Sequence, residues 1–271
     1  MFKITRLPPR FDFNTKAILL KTVEANRALA ELKGYADVIP NKNILLNAIT
    51  INEAKDSSEI ENIVTTHDEL YKALATKKST QEAKEVVNYR SALWKGYESV
   101  KKNGFISSNM ILEIQKIIEQ NDAGIRKTPG TVLKNERTQE VVYTPPVKHS
   151  KIVDLMSNLE KYINSEYIEY DVLIQLAVIH YQFETIHPFY DGNGRTGRIL
   201  NILYLVLKKR LDTPILYLSS YINNNKKEYY EGLQKVRDAN KWEQWVLYIL
   251  EGIKETSYNT LKIMKDIILK K

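Results

Sequence analysis

The nine residues His187-Pro-Phe-Tyr-Asp-Gly-Asn-Gly-Arg195 put a base, an acid, two glycines and an arginine into one short stretch. Pro188 discourages helix continuation after His187, while Gly192 and Gly194 permit positive φ and leave backbone amides uncovered. A helical pattern follows at once, so its first N–H groups and macrodipole point at the loop, and such a helix start attracts anions. Arg195 and Arg198 lie three residues apart on one helical face, and guanidinium forks suit phosphate oxygens. Asp191 supplies a hard oxygen ligand beside that anion site, as Mg²⁺ bridging phosphates requires. His187 lies across the same loop and is expected to titrate near working pH, as suits a general base. These residues together read as a phosphate-transfer site that holds a nucleotide tail and deprotonates an incoming hydroxyl. The G-x-x-x-x-G-K-[ST] pattern of a Walker A loop is absent. The competing reading of the same residues is a structured turn with a satisfied histidine and surface arginines. His180, on an apolar face and not spaced with His187 as a metal pair, reads as a hydrogen-bonded core histidine.

The elements that must position this loop are mostly helical, and the expected fold class is all-α, a helical bundle with one small β-hairpin. Asp171 begins one segment and Gly197 another, each apolar nearly all round and therefore buried, and the loop joins them. Upstream, Asn14 starts an apolar pattern of Ile18, Leu19, Val23, Leu29 and Leu32 that Gly34 is expected to end. Thr50 and Glu53 have capping-box spacing for a helix through Ser57-Ser-Glu-Ile-Glu-Asn62. A long helix is expected over 80–102, stopping near Gly104, with Ser107 or Ser108 capping the next and helices resuming at Ser150. Between them, Thr131-Val-Leu133 and Val141-Val-Tyr143 read as a hairpin. At 271 residues and 43% hydrophobic, the chain is long enough for one large domain or two close-packed lobes. No cysteine is present, which excludes disulfides and cysteine-ligated zinc and suits a cytoplasmic protein. The start lacks a signal-peptide run, and the longest apolar stretch is far too short to span a bilayer. Net charge is +7 with scattered lysines, which suits an anionic ligand or acidic partner and does not support nucleic acid.

At His187-Pro-Phe-Tyr-Asp-Gly-Asn-Gly-Arg-Thr-Gly-Arg198 the chain resembles the signature of the Fic (Fido) family, H-x-F-x-[DE]-G-N-G-R-x-x-R, with every fixed position filled. The likeness extends to LPPRF, EAKDSSEIEN, the hairpin ending YTPP, HYQFETIHPF and KKEYYEGLQKVR, and so covers nearly the whole chain. It implies a protein adenylyltransferase that moves AMP from ATP to a Ser, Thr or Tyr hydroxyl of a target. His187 would be the base, Asp191 the Mg²⁺ ligand and Phe189 the buried anchor of the loop. Gly192, Asn193 and Gly194 would form the anion hole, with Arg195 and Arg198 on the β- and γ-phosphates. Gly194 separates this chain from family members that act as kinases, which carry lysine there. Tyr229, Tyr230 and Leu233, with Arg237 a turn later, would line the adenine and ribose pocket; by spacing alone the tyrosines and leucine read as core. Residues 131–146 would be the flap that holds the target by strand pairing.

Ser57, Glu61 and Asn62 match the family's inhibitory motif, [ST]-x-x-x-E-[GN], in which the glutamate would reach Arg198 and exclude the γ-phosphate. The expected organisation is an inhibitory helical region over 1–103, a catalytic core over 104–255 and a C-terminal helix over 256–271. Many relatives continue into a winged-helix domain, which these 271 residues do not include. Two alternatives stay open: a hydrolase that removes AMP at the same site, and a nucleotide-responsive interaction module with little chemistry. Self-modification is expected, and a homo-oligomer is left open.

Overall fold

A computed structural model of the chain describes residues 4–37, 42–76, 79–134, 140–167 and 169–269. In chain order these form α1 (Lys16–Asp37), α2 (Lys42–Glu59), α3 (His67–Thr76), α4 (Gln81–Asn103), α5 (Ser108–Glu119), β1 (Leu133–Lys134), β2 (Val141–Tyr143), α6 (His149–Ile163), α7 (Val172–Ile186), α8 (Asn193–Leu207), α9 (Leu218–Asn224), α10 (Lys226–Ala239) and α11 (Trp242–Leu269). The class is all-α, and the described strands form one antiparallel pair with Leu133 opposite Tyr143. Residues 135–139 of the expected flap lie outside the described residues.

Every residue of α7 is buried, as its unbroken apolar run requires, and so is nearly all of α8. α8 packs on α7, α4 and α5, while α1 lies along α11 and α11 also contacts α7. Side chains start and stop these helices as their sequences suggest. Thr80 accepts a hydrogen bond from the Ala83 amide to cap α4, which ends on Gly104 at φ 74°. Ser107 caps α5 through the Met110 amide, and Asp171 caps α7 through the Leu173 amide. α11 runs unbroken across position 255. Among the described residues no helix is long and apolar enough to cross a membrane.

Four local expectations are corrected. α1 continues through Gly34 to Asp37, because burial of Leu32 and Ala36 outweighs the roughly 1 kcal/mol helical cost of one glycine. Leu19 and Val23 are exposed, the buried stripe being Ile18, Ala25, Leu29 and Leu32. Thr50 and Glu53 form no capping box. They lie inside α2, where the Thr50 hydroxyl donates to the Leu46 carbonyl and Glu53 accepts from the Tyr89 hydroxyl. Finally, α8 begins at Asn193, four residues before Gly197, so the glycine-rich stretch itself forms its first turn.

Candidate active site

The loop of residues 187–192 is held from both sides. On the α7 side, His187 adopts a left-handed conformation at φ 48° and ends the helix. Arg126, almost fully buried, donates from Nε to the His187 carbonyl (2.8 Å) and from Nη2 to the Ile186 carbonyl (3.4 Å). Its own amide donates to the Pro188 carbonyl at 3.0 Å. A positive charge therefore satisfies the last carbonyls of α7, where the helix dipole favours it. On the α8 side, Asn193 clamps the loop with its side chain, accepting from the Phe189 amide and donating to the Phe189 carbonyl, both at 2.9 Å. Phe189 is fully buried against Phe183. Asn193 thus contributes to an anion site only through its backbone N–H.

Burial, assisted by the Arg126 charge, pulls the His187 imidazole down to about 4. This corrects the expectation of titration near working pH: the ring is neutral at neutral pH, because burial and the Arg126 charge disfavour its protonated form. His180 is fully buried, with Nε2 2.8 Å from the Tyr229 hydroxyl and Nδ1 3.0 Å from Asn201 Nδ2.

The two arginines of α8 are both buried and both engaged. Arg198 donates from Nε to the Ser57 hydroxyl (2.7 Å), and from Nη2 to the Ser57 carbonyl (2.8 Å) and Glu61 Oε1 (2.7 Å). Arg195 donates from Nε to Glu61 Oε2 (2.8 Å), from Nη1 to Glu85 (3.0 Å) and from Nη2 to Glu119 (2.8 Å). One Glu61 carboxylate thus bridges both guanidinium groups. Burial would raise its pKa, but the charges of Arg198 and Arg195 outweigh that and hold it below the ordinary carboxylate range. A Cβ added at Gly194 would meet Glu61 Oε1 at 2.4 Å, so the carboxylate sits directly over the first turn of α8.

Backbone geometry explains the asparagine that follows. The Ile63 amide donates to the Ser58 carbonyl and the Asn62 amide to the Glu59 carbonyl, the two bonds of a Schellman motif. That motif needs a left-handed residue, which Asn62 supplies at φ 64°. Glu61 consequently sits in the capping turn that follows α2, directly before the left-handed Asn62. Glu85 and Glu119 carry no signal in the sequence that separates them from ordinary charged helix faces. Burial and the nearby carboxylates of Asp191, Glu61 and Glu85, opposed by Arg195, push Glu119 up to about 7.

Asp191 is exposed at the mouth, with Oδ1 accepting from the Gly192 amide at 2.7 Å. Among the described residues no three acidic or histidine side chains converge on a metal position. A lone carboxylate beside a phosphate site nevertheless fits Mg²⁺, which commonly takes one or two carboxylates and fills its shell with water and phosphate oxygens.

Two cavities open over these residues. One, of about 450 Å³, is lined by His187, Asp191, Gly194, Arg195, Arg198 and Glu61 among others. The second, about 690 Å³, lies between the hairpin and α10 and is lined by Tyr143, Tyr230, Leu233 and Arg237. Tyr230 reaches both cavities, whereas Tyr229 is buried behind the first. Arg237 stacks on the Tyr143 ring, 4.0 Å from its centroid.

Comparison with known proteins gives a consistent family. A model described as Fic/DOC family N-terminal matches residues 19–98, and one described as Fic/DOC family matches residues 105–205. A probable protein adenylyltransferase of Aquifex aeolicus is 31% identical over 187 residues, covering 66% of this chain and 54% of that protein. The protein adenylyltransferase Fic of Aedes aegypti is 26% identical over 165 residues, covering 60% of this chain and 31% of that protein. The chain therefore spans about half the length of the first relative and about a third of the second. Among solved structures, a Fic family protein from Desulfovibrio desulfuricans G20 superposes with a TM-score of 0.78 at 21% identity, covering 94% of this chain and 77% of that one. A Fic domain containing signaling protein from Bacteroides thetaiotaomicron gives 0.71 at 18% identity, covering 91% and 97%.

Proposed function

Because this chain belongs to the Fic/DOC family, we propose that it transfers AMP from ATP to a hydroxyl of a target protein, and that Glu61 restrains the transfer. The hydroxyl oxygen attacks the α-phosphorus, its proton passes to the neutral His187 ring, and the bond from the α-phosphorus to the leaving pyrophosphate breaks. The first amides of α8 and the guanidinium groups of Arg195 and Arg198 take the phosphate charge. Asp191 would hold Mg²⁺, which neutralises charge on the phosphates when bound. The second cavity takes the base, and the sugar lies where the two cavities meet. The target presents a strand to the hairpin, where Val141 and Val142 are exposed, and main-chain pairing asks little of its side chains.

The observation that carries the restraint is the Glu61 carboxylate bridging Arg195 and Arg198 above Gly194. Negative charge already occupies the place where β- and γ-phosphates need those guanidinium groups, so ATP must displace Glu61 before its α-phosphate is presented correctly. Incubation of the Glu61→Gly protein, freed of that restraint, with α-labelled and γ-labelled ATP in parallel tests the activity. Label on protein from the α-phosphate alone is expected; label from γ alone means a kinase, and label from neither on any protein removes the assignment.

A further inference from the structure

Leu133, Glu184 and Tyr230 line both cavities, and of these Glu184 alone brings a carboxylate to the junction. Glu184 is only 8% exposed, and its Oε1 is buried with no hydrogen-bond partner. That oxygen lies against Gly197 of α8, whose missing side chain leaves it room but gives it no donor. Its charged neighbours are Arg198, Arg237 and Glu61, none of which makes a hydrogen bond or ion pair with it among the described residues. A buried acceptor without a donor costs stability, and native structures rarely keep one without a use.

The junction also has a fixed place along a bound nucleotide. Phosphates at the start of α8 and a base between the hairpin and α10 leave the sugar to cross between the cavities. A ribose brings a vicinal diol, two O–H donors that a single carboxylate can accept, the pairing by which acidic side chains commonly read ribose. We propose that Glu184 is a specificity residue that accepts hydrogen bonds from the ribose hydroxyls, so that this site discriminates ribonucleoside from deoxyribonucleoside triphosphates. The assignment rests on the adenylyltransferase reading above.

The test is isothermal titration of the Glu61→Gly protein, whose phosphate site is free, with ATP, 2′-deoxy-ATP and 3′-deoxy-ATP in Mg²⁺, repeated with Glu184→Ala and Glu184→Leu added. Thermal unfolding checks that each variant is folded. With Glu184 present, ATP should bind about 10-fold or more tighter than at least one deoxy analogue, because the analogue leaves the carboxylate without its donor. Both Glu184 substitutions should bring the three affinities together by weakening ATP more than the analogues. A purely structural Glu184 would change all three equally. Equal affinities with Glu184 present, or discrimination that survives both substitutions, overturns the ribose assignment while leaving ATP binding and AMP transfer in place. Failure of ATP to bind at all overturns the adenylyltransferase reading and the ribose assignment with it.

Discussion

Two kinds of buried arginine bracket the loop 187–192, and they are satisfied in opposite ways. Arg126, on the α7 side, is bonded to the backbone carbonyls of Ile186 and His187. Arg195, on the α8 side, is bonded to side-chain carboxylates alone, and Arg198 to the Glu61 carboxylate and to the hydroxyl and carbonyl of Ser57. A guanidinium that satisfies carbonyls cannot be released without leaving them unpaired, so Arg126 is scaffold. A guanidinium held by a carboxylate can exchange it for a phosphate of like charge and geometry. In the proposed function Arg195 and Arg198 therefore form, through their bonds to Glu61, a receptor whose present occupant is part of the chain, while Ser57 keeps Arg198 in place. The loop is thus rigid at its histidine end and exchangeable at its arginine end.

The largest effect should come at the rigid end. His187→Ala removes the base while leaving the anion site intact, and AMP transfer should fall ~10²–10⁴-fold with the Kd for ATP nearly unchanged. Transfer at the wild-type rate would make the ring structural and remove the distinction between the two ends. Arg126→Ala should cost about 3 kcal/mol in chemical denaturation, since charged hydrogen bonds are lost and buried carbonyls are left unpaired. It should also leave a protein whose transfer is not rescued by adding Glu61→Gly; rescue would show that Arg126 is exchangeable too.

A smaller effect separates the paired carboxylate from an unpaired one. Burial, only partly opposed by Arg198, pushes Glu184 up to about 7 from an ordinary 4.5, the Glu61 charge adding to the rise. The folded state therefore holds this proton more tightly than the unfolded state, and the carboxyl contributes stability below 4.5 that is lost as pH rises towards 7. Glu184→Gln, which cannot ionise, should match wild type near pH 4 and exceed it by roughly 1–3 kcal/mol at pH 8, measured by urea unfolding. A gap that does not change with pH would mean that Glu184 is better paired than its surroundings suggest. Smallest is the coupling of Glu61 to Arg198, expected at about 1 kcal/mol or more in a double-mutant cycle on unfolding free energies. An additive cycle would show that the carboxylate and the guanidinium act independently.

The division between rigid and exchangeable ends also marks what could be read from sequence. His187, Asp191, Gly194, Arg195 and Arg198 are neighbours in the chain, so local spacing brings their chemistry together without knowledge of the fold. Ser57, Glu61 and Asn62 became visible through resemblance, and the structure supplies the reasons: a hydroxyl for Arg198, a bridging carboxylate and a left-handed helix end. Arg126, Glu85 and Glu119 were invisible, because they reach the loop from 61, 110 and 76 residues away and occupy unremarkable local contexts. The low pKa of His187 was equally hidden, since it follows from burial and the Arg126 charge. Thr50 and Glu53 misled because a capping-box spacing recurs inside any helix with two polar residues facing a partner. Gly34 misled because a glycine breaks a helix only where tertiary packing does not outweigh its cost.

The central claim is that Glu61 holds the receptor end of the loop in place of phosphate, and self-modification measures it directly. The assay uses α-labelled ATP and Mg²⁺ with wild type, Glu61→Gly, Glu59→Ala and Glu61→Gly combined with His187→Ala. A bias of ~2.7 kcal/mol towards the occupied state would keep about 99% of molecules inactive, so its removal should raise labelling by one to two orders of magnitude. Glu59, which pairs with Lys55 at 3.0 Å and not with either arginine, should leave labelling unchanged. The His187→Ala combination should abolish the gain. Equal labelling of wild type and Glu61→Gly would contradict the account.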